Sequence, residues 1–341
     1  MSKFNKFSLT LLCSATLTIT TMTACSAGNS NTSTSQEQGG TGSGTGFPME
    51  IDNCGQKLVV EKRPEKVLTI GADPLAQMSA AGAGDKVVSY SALLGMELPE
   101  LPGVTAKELT SEDPSTEQIL STGADFLVAN AYLNTDPKTL KGNGITSWVP
   151  SSVCDHLVAS SGEKAEGTVS DKPALEKVQD DLKTMGRLFG TSETADKAAD
   201  DLMTRVKKIA DQNPGKGRSV ALLYYFDGKS ALGAIGDSGI PAEFAKNLGL
   251  KNVFADQKET WINDMSWESV LQKDPDIILL ITEMTPGMDF EKNKERLLAE
   301  KGVDHLKAVK NDSFIQMKYQ QGIAAPSSVE GLESLAGQLN Q

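Results

Sequence analysis

The chain has 341 residues, 23% charged and 39% hydrophobic, the balance of a soluble protein large enough for one big or two medium domains. Its formal net charge of −12 argues against nucleic acid as a partner. Beyond the N-terminus no hydrophobic segment approaches the roughly 20 residues that a membrane-spanning helix needs.

In chain order, Lys3 and Lys6 precede an apolar stretch over residues 7–19, which closes on Met22-Thr23-Ala24-Cys25. This pattern reads as a secretion signal, too short and too rich in Thr and Ser to span a bilayer. It resembles the bacterial lipoprotein signal over residues 1–24, in which Cys25 becomes the lipid-bearing first residue of the mature chain. Losing Lys3 and Lys6 with the signal takes the charge from −12 to about −14. Residues 25–46 are almost entirely Ser, Thr, Gly, Asn, Gln and Ala, a lipidated tether that holds the folded part roughly 25 Å from the membrane.

Of the four cysteines, Cys13 belongs to the signal and Cys25 to the anchor. Cys54 and Cys154 remain, and outside the cytoplasmic membrane such a pair reads as a disulfide, with two buried free thiols as the alternative.

From residue 47 the pattern alternates. Strands are expected at 66–70, 86–90, 125–129 and 146–149, and helices at 74–83, 115–122 and 137–143. Strand and helix in turn specify a parallel sheet flanked by helices. Two helices follow, 172–189 and 192–212, the second with Ala195, Leu202, Val206 and Ile209 on one face until Asn213-Pro214-Gly215 stops it. The alternation then restarts with a strand at 219–225, and later elements are a helix at 291–301, a strand at 313–317 and a closing helix at 329–339. The helical insert splits the strands into two comparable sets, so the expected fold is α/β with two Rossmann-like lobes of parallel sheet, 47–190 and 214–341, joined by a single long helix over 191–213, rather than the rival single doubly wound sheet.

Residues 239–281 carry a helix, a turn ending in Trp261, a second helix and the apolar run Ile277-Ile278-Leu279-Leu280-Ile281. Glu243 falls in the first turn of the first helix beside Phe244, Ala245 and Leu248. Its carboxylate is expected to face solvent.

An ordered set of segments carries a resemblance: Pro64-Glu65-Lys66-Val67, Pro114-Ser115-Thr116-Glu117-Gln118-Ile119-Leu120, Gly186-Arg187-Leu188-Phe189-Gly190, Asn252-Val253-Phe254-Ala255-Asp256, Trp261, Ser266-Trp267-Glu268 and Pro275-Asp276. From about residue 47 onward the chain resembles the substrate-binding lipoproteins of ABC importers for iron-siderophore complexes, haem and vitamin B12. Cys54-Gly55 with Cys154 is similar to a subset of that family in Gram-positive, particularly actinobacterial, bacteria. The resemblance implies a monomeric, non-enzymatic receptor without a cofactor, lipid-anchored on the extracytoplasmic face of the cell membrane. Its partners would be an ABC permease and a separate ATPase. It also implies that one glutamate on the rim of each lobe, here Glu117 and Glu243, docks onto permease arginines, which bind carboxylates bidentately.

Open α/β sheets bind ligands beyond the carboxyl ends of their strands. Tyr90, Asn130, Tyr132, Tyr225 and Tyr319 fall at those ends, and Trp261 joins them at the family's cleft-facing position. Aromatic faces can bury the organic shell of a chelate. The arginines, Arg63, Arg187, Arg205, Arg218 and Arg296, all lie away from strand ends. A cleft without arginine favours a neutral or cationic chelate, a ferric hydroxamate or else a corrinoid, over an anionic catecholate. Haem would need an axial ligand, His156 or a cleft tyrosine, and a direct metal site is not expected from only two histidines. An α/β hydrolase or oxidoreductase is the alternative from another class. Gly236-Asp237-Ser238-Gly239 copies a serine-protease motif, but those enzymes are all-β. Gly228-Lys229-Ser230 lacks the upstream glycine of a phosphate-binding loop.

Overall fold

The structure, a computed structural model, describes residues 46–92, 98, 100–130, 134–154, 172–285 and 287–340. It opens on a hairpin that the strand pattern did not show, β1 (Met49–Asn53) antiparallel to β2 (Gln56–Val60). Cys54 and Gly55 both take positive φ at its tip, the geometry that a two-residue hairpin loop requires.

Next come β3 (Val67–Ile70), α1 (Ala72–Ala80), β4 (Val87–Ser91), β5 (Lys107–Glu108), α2 (Thr116–Ser121), β6 (Phe126–Ala129), α3 (Pro137–Gly142) and β7 (Thr146–Trp148). Their strands form a five-stranded sheet in the order β5-β4-β3-β6-β7, parallel throughout. Every residue of β3 and β6 is buried, as expected of central parallel strands covered on both faces. The helices α4 (Ala174–Phe189) and α5 (Ser192–Gln212) follow, and α5 buries Ala195, Ala199, Leu202, Val206 and Ile209 along one stripe.

The second sheet uses β8 (Ser219–Tyr225), β9 (Leu232–Ile235), β10 (Lys251–Asn252), β11 (Trp261–Ile262), β12 (Ile277–Thr282) and β13 (Phe314–Lys318). Among these lie α6 (Gly239–Asn247), α7 (Trp267–Lys273) and α8 (Phe290–Leu298), and α9 (Ser328–Leu339) closes the chain. The parallel run β8-β12-β13 is the part that apolar patterning revealed. On the other edge of β8, β10 pairs in parallel at its start and β9 antiparallel at its end, with β11 antiparallel beyond. β5, β10 and β11 escaped the sequence reading because strands of two residues leave no period to count, and β9 because Gly233 interrupts its apolar run.

The inner faces of both sheets share one core. Val67, Phe126, Leu182 and Leu202 belong to the same buried cluster as Val220, Phe244, Leu279 and Leu332. Separate smaller clusters fill the outer face of each sheet, around Leu68 and Leu127 in the first and Leu223 and Leu280 in the second. The two α/β halves are thus joined by packed apolar side chains as well as by α5.

Candidate functional site

The carboxyl ends of the two sheets meet over a small cavity. Asp73, in the first turn of α1 after β3, and Ser152, just beyond β7, line it from the first half. Trp261 of β11, Tyr319 directly after β13, and Ala324 line it from the second. Its volume is about 30 Å³, room for a water or two.

Buried hydrogen bonds tie its walls together. Ala324 N–H donates to Asp73 Oδ1 at 2.7 Å, and Gln77 Nε2 donates to Ser152 Oγ at 2.9 Å and to Ala324 O. Asn130 Nδ2 reaches Asp73 Oδ2 at 3.5 Å. Asn130 can lie there because residue 71 is glycine at φ 102°, where an added Cβ would sit 2.4 Å from the Asn130 side chain. Ser152 is held in turn by Asp181 of α4, whose carboxylate accepts from Ser151 N at 2.9 Å, Ser151 Oγ at 3.0 Å and Ser152 N at 2.9 Å.

Burial pushes the Asp181 carboxyl from 3.8 up to about 6 despite those donors. Its folded-state value lies above the unfolded one, so its favourable contribution is complete below about pH 4 and is lost as pH rises through about 6. Two units correspond to about 3 kcal/mol. Denaturant titrations of wild type and Asp181→Asn should therefore diverge between pH 4 and 7, the wild type losing up to about 3 kcal/mol relative to the variant.

An aromatic wall faces the cavity. Trp261 stands edge-on to Tyr224 with centroids 5.1 Å apart, and its ring lies 5.9 Å from that of Tyr319. The Tyr224 ring crosses β9 at Gly233, its register partner, where any side chain would collide with it. Tyr224 Oη donates to Asn263 Oδ1 at 2.9 Å. Burial first, and the nearby Asp73 charge second, hold the Tyr319 phenol above its ordinary range.

The residues expected at the ligand site divide accordingly. Trp261 and Tyr319 line the cavity, and Asn130 reaches it through Asp73. Tyr90 is half-buried against the shared core. Tyr132, His156 and the lipid-attachment candidate Cys25 lie outside the described residues.

Tyr225 is a correction. It is 1% exposed in the outer cluster of the second half, with the Arg296 guanidinium 4.0 Å above its ring. Alternation along β8 sends Val220, Leu222 and Tyr224 inward and Ala221, Leu223 and Tyr225 outward, so the neighbouring Tyr224 is the one that joins Trp261. The arginines are also engaged elsewhere: Arg63 over Phe47, Arg187 with Thr184, Arg205 with Glu333, Arg218 and Arg296 with backbone carbonyls.

Glu243 is a second correction. Pro173, the N-cap of α4, has no side-chain acceptor, and Glu243 Oε2 accepts the Leu175 N–H at 2.9 Å from across the α6 contact. The carboxylate is half-buried and its pKa is raised by that burial, so it does not face solvent freely.

Glu117, by contrast, is exposed at the second position of α2, after the N-cap Ser115. Glu268 occupies the same place in α7, exposed after Ser266. The match extends further, because Asp125 and Asp276 follow at the same spacing. Asp125 accepts the Lys66 N–H just before β3, and Asp276 accepts the Ser219 N–H at the start of β8. Neither glutamate has a cationic partner among the described residues. The repeated Ser-X-Glu before each strand is the signal by which Glu268 was legible in the sequence.

Neither enzymatic motif assembles a site. Ser238 Oγ is engaged by Lys258 O at 2.8 Å and Thr260 Oγ1 at 3.0 Å. Asp227 Oδ1 accepts from both Lys229 N and Ser230 N at 2.7 Å, so its own side chain occupies the amides of the loop that resembles a phosphate cradle.

Two α/β halves, one linking helix and a site between strand ends define a two-lobed binding protein. The periplasmic binding protein model matches residues 111–320, more than half of the chain, and the protein belongs to that family. No curated protein matches it. Among solved structures it is similar to an ABC-type Fe3+-hydroxamate transport system from Saccharomonospora viridis, with 26% identity and a TM-score of 0.69 over 86% of this chain and 100% of that one. It shares its fold with a vitamin B12 binding protein of Vibrio cholerae, at 19% identity and TM-score 0.57 over 81% and 97% of the two chains. It also shares it with a heme binding protein of the same organism, at 15% and 0.62 over 81% and 99%.

Proposed function

We propose that this protein is a non-enzymatic, extracytoplasmic receptor, anchored through lipid on Cys25, that captures a ferric hydroxamate siderophore and hands it to an ABC permease with its separate ATPase. The carrying observation is the cavity between the strand ends, walled by Trp261 and Tyr319 and floored by Asp73, with no cationic side chain among the described residues that line it. Anionic chelates need converging arginines, and each arginine here is engaged elsewhere. Similarity to the Saccharomonospora hydroxamate system supports the same ligand class. Docking falls to Glu117 and Glu268, the exposed carboxylates at equivalent positions of the two halves, which have no cationic partner among the described residues.

Titration of the purified protein with ferric hydroxamates, haem and cobalamin, followed by tryptophan fluorescence, tests the reading. Of the three tryptophans, Trp148 is buried beneath the hairpin with its Nε1 on Asp52 O, and Trp267 bonds Lys301 O on the outer side. Quenching by the hydroxamate that disappears in Trp261→Phe is the expected result. Quenching by haem or cobalamin alone would reassign the ligand.

A further inference from the structure

The cavity is the size of a functional group rather than of a chelate, and among the described residues the one charged side chain that lines it is the carboxylate of Asp73. Asp73 is 4% exposed, yet it meets only the neutral donors Ala324 N–H and Asn130 Nδ2 and no cation among the described residues. Gln77, fully buried, spends its amide hydrogens on Ser152 and Ala324, two residues of the cavity wall, and leaves Oε1 without a partner. Asn130 Oδ1 is likewise unpaired. A buried carboxylate without a countercharge is costly unless a cationic donor arrives.

From this geometry we infer, resting on the siderophore reading above, that the cavity is a subsite for a protonated primary amine on the chelate, with Asp73 as its countercharge and specificity-determining residue. An ammonium head is close to water in size and fits a volume of about 30 Å³. It brings three donors and a positive charge to the Asp73 carboxylate, which has no cationic partner among the described residues. The rings of Trp261 and Tyr319 add cation–π attraction, which strengthens when the cation leaves water. The body of the chelate then lies over the cavity mouth, beyond the arm.

The test uses one linear ferric trihydroxamate with a free terminal amine and its N-acetyl derivative, which keeps the iron chelate and removes the charge. Wild-type protein should bind the amine form about tenfold tighter or more. Asp73→Asn retains an acceptor for Ala324 N–H and loses the charge, so it should reduce the preference to about threefold or less while leaving the acetylated form unaffected. Added salt should weaken the amine form alone in the wild type, a readout that needs no variant. Equal wild-type affinity for the two forms, or a loss in Asp73→Asn that is the same for both, overturns the subsite and leaves the siderophore reading standing. Binding of neither form overturns the siderophore reading and the subsite with it.

Discussion

Reversing charge at both Glu117 and Glu268, as Glu117→Arg with Glu268→Arg, abolishes delivery of ligand to the permease while the purified protein still binds ligand with wild-type affinity. Each carboxylate sits at the second position of a short helix whose N-terminus lies on the carboxyl-end edge of its sheet. At Glu268 its own backbone N–H and the Ser266 hydroxyl hold the carboxyl below its ordinary range, so it stays ionised at any physiological pH. A charge-assisted hydrogen bond to arginine contributes about 1.5–3 kcal/mol, and an arginine in place of either glutamate adds repulsion. A single reversal should weaken association with the permease roughly ten- to hundredfold, and the pair should eliminate it. Transport assays with reconstituted permease, run beside ligand titrations, check this. Glu243→Ala is the informative control. It removes the acceptor of Leu175 N–H and should cost about 1 kcal/mol in a denaturant melt, with delivery intact. Delivery lost in Glu243→Ala and kept in Glu268→Arg would return the docking role to Glu243.

The difference between Glu243 and Glu268 shows where sequence reading reaches its limit. Both are acids on a short helix, Glu268 in its first turn and Glu243 at the middle, and helical periodicity predicts exposure for each. The orientation of Glu243 is decided by a partner 68 residues away, the uncapped Leu175 N–H, and no local pattern contains that information. Tyr225 failed for a smaller reason, since strand parity was there to be counted and the tyrosine pair straddles it. Central strands such as Ile277–Thr282 and the amphipathic α5 were legible because burial on two faces or one stripe imposes composition directly. Asp73 was not. An acid in the first turn of a helix looks like an ordinary complement to the helix dipole. Its burial depends on Ala324, 251 residues on, which folds back over it from the other half.

Loss of the Cys54–Cys154 disulfide should lower the free energy of unfolding by up to about 4.7 kcal/mol, the chain-entropy value for a loop of this separation. That is a large fraction of the 5–15 kcal/mol typical of a folded domain. Both residues are buried, and the bridge fastens the tip of the β1–β2 hairpin to the segment just after β7. The same junction is also held without sulfur, by Trp148 Nε1 on Asp52 O and Val149 N on Asn53 Oδ1, each at 2.8 Å. Those bonds keep the folded geometry when the covalent link is absent. The loss should therefore come from the greater freedom of the unfolded chain rather than from a loosened native state. Cys54→Ser with Cys154→Ser, compared with wild type in denaturant, gives the magnitude. Native-state hydrogen exchange gives the mechanism. A fall in global stability with unchanged protection of the Trp148 and Val149 backbone relative to that lower global limit supports the entropic account, whereas protection lost only at this junction places the effect in the native state. A total loss below about 1 kcal/mol would mean that residues 54 and 154 stay close even in the unfolded ensemble.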